Sequence, residues 1–217
     1  MGYIIGFVSQ KGGVGKSTLA RLLAREAAAD EMSVKIADMD IQQGTAYHWM
    51  RRRAGYGLEP EVMVQTFSSV KSALKDAQHY DLYIFDGAPH ASKDTSVIAK
   101  AADLVVIPTS QGLDDLDPSI LLGHDLLEEG VPIERIVFAM VKTTDSESEI
   151  KSARDYIKRA GFRTLEGELP VRTVFSKAHD QGRAVSEVPV RSLTKRVEIL
   201  AQSLVDAVSQ AAMKEVA

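Results

Sequence analysis

The apolar run Tyr3 to Val8 leads within three residues into Lys11-Gly12-Gly13-Val14-Gly15-Lys16-Ser17-Thr18, and this junction sets the strongest limit on what the chain can fold into. Glycines at this density let several backbone N–H groups converge on one anion. The helix expected over 17–30 then turns its positive dipole end toward that anion. Lys16 is spaced to reach the β- and γ-phosphates of a nucleotide, and Ser17 to offer its hydroxyl to Mg²⁺. Strand, anion loop and helix in that order are the first half of a βαβ unit, so the remaining chain should complete a parallel sheet. The general pattern G-x-x-x-x-G-K-[ST] would begin at position 10, where this chain has Gln10. The loop departs from the common pattern and carries an additional lysine, Lys11.

The rest of the chain agrees with that frame. Strands are expected over 3–8, 34–37, 62–66, 82–85, 104–107 and 136–141. Helices are expected over 17–30, 45–53, 70–78, 94–101, 118–129, 147–160 and 193–213. Several strands are near-continuous apolar runs, the pattern of parallel strands buried on both faces. The expectation is an α/β fold of the P-loop NTPase type, a doubly wound, mostly parallel sheet with helices on both faces. With 217 residues and no linker, repeat or low-complexity segment, one domain over 1–217 is expected. Functional loops should lie at the carboxyl ends of the strands. There are no cysteines, which removes disulfides, thiolate metal sites, iron–sulfur clusters and cysteine nucleophiles. No apolar run is long enough to span a bilayer. The amino terminus has the pattern of a strand entering the loop, not of a signal peptide. A cytoplasmic location fits these features.

Two strand ends carry carboxylates. The second strand ends in Asp38-Met39-Asp40, and the fourth in Asp86-Gly87. A strand-end Asp in a chain with a phosphate loop can hold Mg²⁺ through water, and Asp86 fits that role; the plainer alternative is an Asp capping a turn. Asp38 and Asp40 are two apart, so on a strand both point to one side. Asp40, nearer the γ-phosphate position, is the candidate to orient or deprotonate an attacking water. Asp38 is the candidate to bond loop backbone or metal-bound water. Ordinary turn acids remain the alternative for the pair.

The net charge is −4, but residues 151–196 hold 11 Lys/Arg against 5 Asp/Glu, a balance of +6 that leaves the remainder at −10. Such asymmetry suits a polyanion-binding face; solvated helix faces are the competing explanation. Arg51, Arg52 and Arg53 follow Trp49 at the end of a helix, where complementing the dipole is preferred over contact with DNA or a partner.

The loop with both Lys11 and Lys16 resembles the deviant Walker A motif of the ParA/MinD ATPases. Asp38-x-Asp40-x-Gln42 resembles that family's second motif, Tyr80 to Asp86 its Walker B strand, and Ala102 to Pro108 its next strand. Arg172-Thr173-Val174-Phe175-Ser176-Lys177, with Gly182 and Val185, resembles the nucleotide-proximal stretch of short plasmid-partition members. The likeness runs from residue 3 to about 187. It implies binding of ATP and ADP with Mg²⁺ by Lys11 through Thr18, with Met140, Lys142, Pro170, Val171 and Arg172 near the nucleotide and Ser17, Asp86 and Asp38 around the metal. It implies catalysis by Lys11, Lys16 and Asp40. It implies an ATP-dependent homodimer in which Lys11 reaches the partner's triphosphate. Departures are Ile41, where Pro is frequent, and the segment Gln111 to Leu116, which lacks the usual prolines.

Within this family the missing cysteines exclude an iron-protein type. The last tyrosine, Tyr156, argues against the tyrosine kinases. The final helix carries an apolar stripe (Leu193, Val197, Leu200, Leu204, Val208) suited to a core, and its tail lacks the basic or aromatic face of a membrane helix. The reading is a DNA partition ATPase in the cytoplasm, associated with the nucleoid. It would bind DNA non-specifically through Arg191, Lys195 and Arg196, with Lys158, Arg159 and Arg163 as a second group. No helix-turn-helix region precedes the first strand, so a separate centromere-binding adaptor is expected to recognise sequence and to stimulate hydrolysis. A membrane- or cargo-positioning ATPase of the MinD type is the alternative, and a metabolic phosphate-loop enzyme a third possibility.

Overall fold

The computed structural model describes residues 2–89 and 93–215. The chain runs β1 (Tyr3–Phe7), α1 (Lys16–Ala29), β2 (Val34–Asp38), α2 (Thr45–Gly55), β3 (Met63–Thr66), α3 (Val70–Ala77), β4 (Leu82–Asp86), α4 (Lys93–Ala101), β5 (Leu104–Thr109), α5 (Leu113–Glu128), β6 (Ile136–Thr143), α6 (Glu147–Arg159), β7 (Arg163–Thr164), β8 (Leu169–Pro170), α7 (Thr173–Asp180) and α8 (Arg191–Glu215). The sheet order is β3-β2-β4-β1-β5-β6-β7 with β8 beside β6, eight strands among the described residues. All pairings are parallel.

The alternation of side chains along the central strands divides the core into two layers. Ile5, Phe7, Ile84, Val106, Val137 and Ala139 pack against α1, α2, α7 and α8. Tyr83, Phe85, Val105, Ile107, Phe138 and Met140 pack against α3 to α6. Strands buried on both faces cannot afford polar alternation, which is why they show as apolar runs in the sequence. The stripe on α8 is spent in the first layer, with Val197, Leu200 and Leu204 at 0% exposure. No helix among the described residues is long and apolar enough to cross a membrane.

Two local features depart from the expected pattern. Helix α5 starts at Leu113 and runs through Pro118, which the sequence suggested as its first residue. Pro118 has no N–H to give the Asp114 carbonyl one turn back, and that carbonyl instead accepts from the Lys11 ammonium. Helix α7 has no counterpart among the helices expected from the sequence; it is only 8 residues long, too short to show periodicity, and is held by burial of Phe175 and Ala178.

Candidate active site

The carboxyl ends of β1, β2 and β4 lie side by side, with Asp38 and Phe7 each in register with Asp86. The loop after β1 therefore curls directly over two carboxylates. Gly15 takes a left-handed conformation (φ 111°) and caps α1 without a side-chain partner, so the first N–H groups of that helix stay open toward the loop. Lys16 is 6% exposed and donates to the Lys11 carbonyl at 3.1 Å. Burial lowers its pKa from the ordinary value of 10.5, and the Asp86 and Asp40 charges pull it back up. The ammonium is thus kept out of water on a backbone carbonyl, with the Asp86 and Asp40 charges favouring its protonated form.

Asp86 is 2% exposed, and neither of its oxygens has a hydrogen-bond partner among the described residues. Burial, then the neighbouring Asp38 charge, pushes its pKa up to about 7, against the pull of Ser17, Arg21 and Lys16. The Ser17 and Thr45 hydroxyls meet at 3.0 Å. Buried unpartnered carboxylate oxygens and hydroxyls are the hard donors Mg²⁺ takes, usually alongside water and substrate phosphate. The residues present therefore fit that ion. Among the described residues no cluster of three or more His, Cys, Asp or Glu forms a closed protein cage.

Asp38 has another employment. Its Oδ2 accepts from the Ala46 and Tyr47 amides at 3.0 and 3.2 Å, and its Oδ1 from the Asp40 amide at 3.1 Å. It caps α2 from a neighbouring strand, since Gly44 at the cap position has no side chain to do so. Asp40 accepts from the Gln43 amide at 3.0 Å, which closes the segment between β2 and α2 into a turn.

Lys16, Ser17, Asp40 and Asp86, but not Asp38, line a cavity of about 290 Å³ that also takes in Gly12, Gly13, Thr18 and Lys142. Lys142 is held at φ 54° at the end of β6, a strained backbone for a residue with a Cβ. Lys11 sits beside this cavity, its ammonium on Asp115 Oδ1 at 2.8 Å and on the Asp114 carbonyl. Val14 is buried under the loop. Met140 is 0% exposed within the second core layer, which leaves only its backbone for a ligand. Pro170 is buried, while Val171 is 62% exposed and Arg172 pairs with Asp145; none of the three lines the cavity. Arg21, Gln43 and Thr45 do line it and were not singled out in the sequence. The available signal was helical spacing: Arg21 lies one turn beyond Ser17 on the same face of α1.

The candidate DNA contacts divide by environment. Arg191 and Lys195 at the start of α8, and Lys158 and Arg159 at the end of α6, are exposed. Arg196 is tied to Asp145 at 3.1 Å, and Arg163 donates to the Glu134 carbonyl. The arginines ending α2 do more than face a dipole. Arg51 is exposed, Arg52 donates to the His179 carbonyl, and Arg53 is buried on Glu187.

His179 beside them is also perturbed: burial, then the Arg21 and Arg52 charges, lowers its pKa from 6.5 to about 3. The unfolded chain therefore binds a proton that the fold rejects. The resulting stability is complete above pH 6.5 and drains away as pH falls toward 3. Replacing His179 with Asn should flatten the acid limb of a urea-midpoint profile, recovering roughly a few kcal/mol at pH 4 relative to wild type. An unchanged acid limb would refute this.

A strand–glycine loop–helix over a buried strand-end carboxylate, in a doubly wound parallel sheet, defines a phosphate-loop nucleotide-binding protein. Its family follows from sequence comparison. The model of the CobQ/CobB/MinD/ParA nucleotide binding domain matches residues 5–185, and the chain belongs to that family. Its fold is shared by solved structures. The cell division ATPase MinD of Pyrococcus furiosus is 17% identical with a TM-score of 0.75, covering 95% of this chain and 99% of that one. MinD of Pyrococcus horikoshii, complexed with Mg-ADP, is 17% identical with a TM-score of 0.74, covering 94% and 96%. A putative plasmid partition protein of Borrelia burgdorferi, bound to AMPPNP, is 16% identical with a TM-score of 0.71, covering 95% and 99%. A sequence comparison with curated proteins found no match.

Proposed function

We propose that this chain is an ATP-switched DNA partition ATPase. It dimerises on ATP, binds DNA non-specifically, and is released by hydrolysis that a centromere-binding adaptor stimulates. The observation that carries the reading is the placement of Lys11 beside the cavity formed by Lys16, Asp40 and Asp86. Lys16 holds its charge where β- and γ-phosphate oxygens would lie. Open N–H groups at the start of α1 receive the phosphates. Asp40 orients the attacking water and accepts its proton. Mg²⁺, when bound at Ser17 and Asp86, neutralises charge on the phosphate oxygens.

Lys11 and Asp115 have side chains 40% and 33% exposed, so their ion pair is worth only about 0–1 kcal/mol. A partner's triphosphate outcompetes such a tether, and Lys11 then links the two subunits only while ATP is intact. The Mg-ADP and AMPPNP in two of the solved relatives support the nucleotide assignment. The exposed cations on α6 and α8 support DNA, and burial of the α8 stripe favours DNA over a membrane.

The test is retention on random-sequence DNA together with size in solution. With a non-hydrolysable ATP analogue, a dimer that binds DNA is expected; with ADP, a monomer that does not. Retention without nucleotide, or ATP-dependent binding to liposomes in place of DNA, overturns the reading. For the chemistry, Asp40→Ala is expected to slow turnover by about a hundredfold while ATP still binds and dimers still form. Loss of ATP binding in that variant would reassign Asp40 to holding the turn.

A further inference from the structure

A second cavity of about 380 Å³ opens between α2 and α7. Arg21 from α1, His48 and Arg52 from α2, and Ser176 from α7 line it. Arg21, Gln43 and Thr45 form a wall shared with the nucleotide cavity. Asp180, exposed at the edge, is the one carboxylate in the lining.

Arg21 is the anomaly. It is 6% exposed, yet its Nε is buried without a partner, and among the described residues it makes no ion pair. The Trp49 ring lies over the guanidinium, its centroid 5.9 Å away. Asp86 and Asp38 offset its charge from a distance, while Arg52 repels it. Arg52 has its Nε fixed on the His179 carbonyl at 3.1 Å, and its terminal nitrogens donate to nothing among the described residues. A buried unpaired guanidinium is costly, and a second like charge on the same cavity adds to that cost. One oxyanion between the two arginines relieves both, since each presents several N–H donors to it.

We propose that this cavity binds a phosphate-class oxyanion separate from the nucleotide's own phosphates, with Arg21 and Arg52 as its charged donors and His48 and Ser176 at its mouth. This goes beyond the partition reading and stands without it. Free phosphate and the phosphodiester of a nucleic acid share the chemistry.

The test uses the full chain saturated with Mg-ADP, so that the first cavity is filled. Inorganic phosphate is titrated at constant ionic strength against chloride, following the thermal midpoint and the heat of binding. A saturable rise with phosphate and none with chloride is expected. Arg52→Gln should weaken the phosphate response about tenfold, the worth of one charge-assisted hydrogen bond. Because Arg52 also holds the His179 carbonyl, Ser176→Glu is the second variant. It places a carboxylate at the mouth, and is expected to raise the starting midpoint and remove the phosphate response while Mg-ADP affinity is kept. A thymidine dinucleotide that reproduces the response identifies the source as nucleic acid; a response to inorganic phosphate alone identifies free phosphate. Equal responses to phosphate and chloride, responses unchanged in both variants, or a response that vanishes once Mg-ADP saturates the protein overturn the proposal.

Discussion

Replacing Lys16 with Ala is expected to lower ATP affinity roughly a hundredfold, the equivalent of about 3 kcal/mol, and to take hydrolysis with it. The expectation follows from how the ammonium is kept. It is almost wholly out of water, yet its one hydrogen bond among the described residues is to the Lys11 carbonyl. Its remaining N–H groups and its charge are directed to a cavity, not spent within the protein. Triphosphate oxygens there meet a donor already desolvated and already in place. Removing a desolvated charge costs the nucleotide-free fold far less, so the variant should stay folded. Calorimetric titration with ATP measures the effect, and affinity within threefold of wild type would remove Lys16 from the phosphate site.

The largest stability effect is expected at Arg53, far from any phosphate. Its guanidinium is 1% exposed and meets Glu187 at 2.7 and 3.1 Å. It also donates to the carbonyls of Pro60, Glu59 and Gly182 at 2.8, 2.8 and 3.2 Å. Burial alone would raise the Glu187 pKa; the bonds from Arg53 and the Ala184 amide, with the Arg53 and Arg25 charges, bring it below its ordinary value instead. Arg53→Ala leaves that carboxylate with only the Ala184 amide and Arg25, and removes the donor to three carbonyls as well. The expected loss is about 3–5 kcal/mol, or roughly 10 °C in the unfolding midpoint for a chain of this size. Gly182→Ala attacks the same joint from the other side: at φ +73° its Cβ would stand 2.3 Å from the Arg53 amide nitrogen. Urea unfolding of both variants checks the claim, and a loss below about 1 kcal/mol for Arg53→Ala would contradict the buried-pair account. The joint matters for function because α2 follows directly on the turn that carries Asp40.

Much of this site was legible from local patterns. The glycine loop, Lys16, Ser17 and Asp86 all sit where a strand ends or a helix begins, and such junctions leave marks over a few residues. Asp38 is expected from the sequence to bond loop backbone or metal-bound water; its oxygens are taken up by the amides of Asp40, Ala46 and Tyr47, which leaves the metal to Ser17 and Asp86. Less could be seen of residues whose meaning depends on a distant segment. The arginines at the end of α2 looked like dipole complements, but Arg52 and Arg53 are engaged 127 and 129 residues further on. Met140 looked near a nucleotide and faces the opposite core layer, because one step along β6 reverses a side chain.

Short-range order therefore came from the chain itself: the parallel sheet, the anion loop and the strand-end carboxylates rest on periods of two and of about four residues and on glycine placement. Family membership rests on the same motifs. Tertiary structure alone decided which charges find partners. Arg53 is neutralised by Glu187, Lys11 is tethered to Asp115, and Arg21 is buried with no ion-pair partner among the described residues. In the sequence these are three ordinary cations. Their differences arise from desolvation and from segments brought together across the fold, and neither is encoded in local spacing.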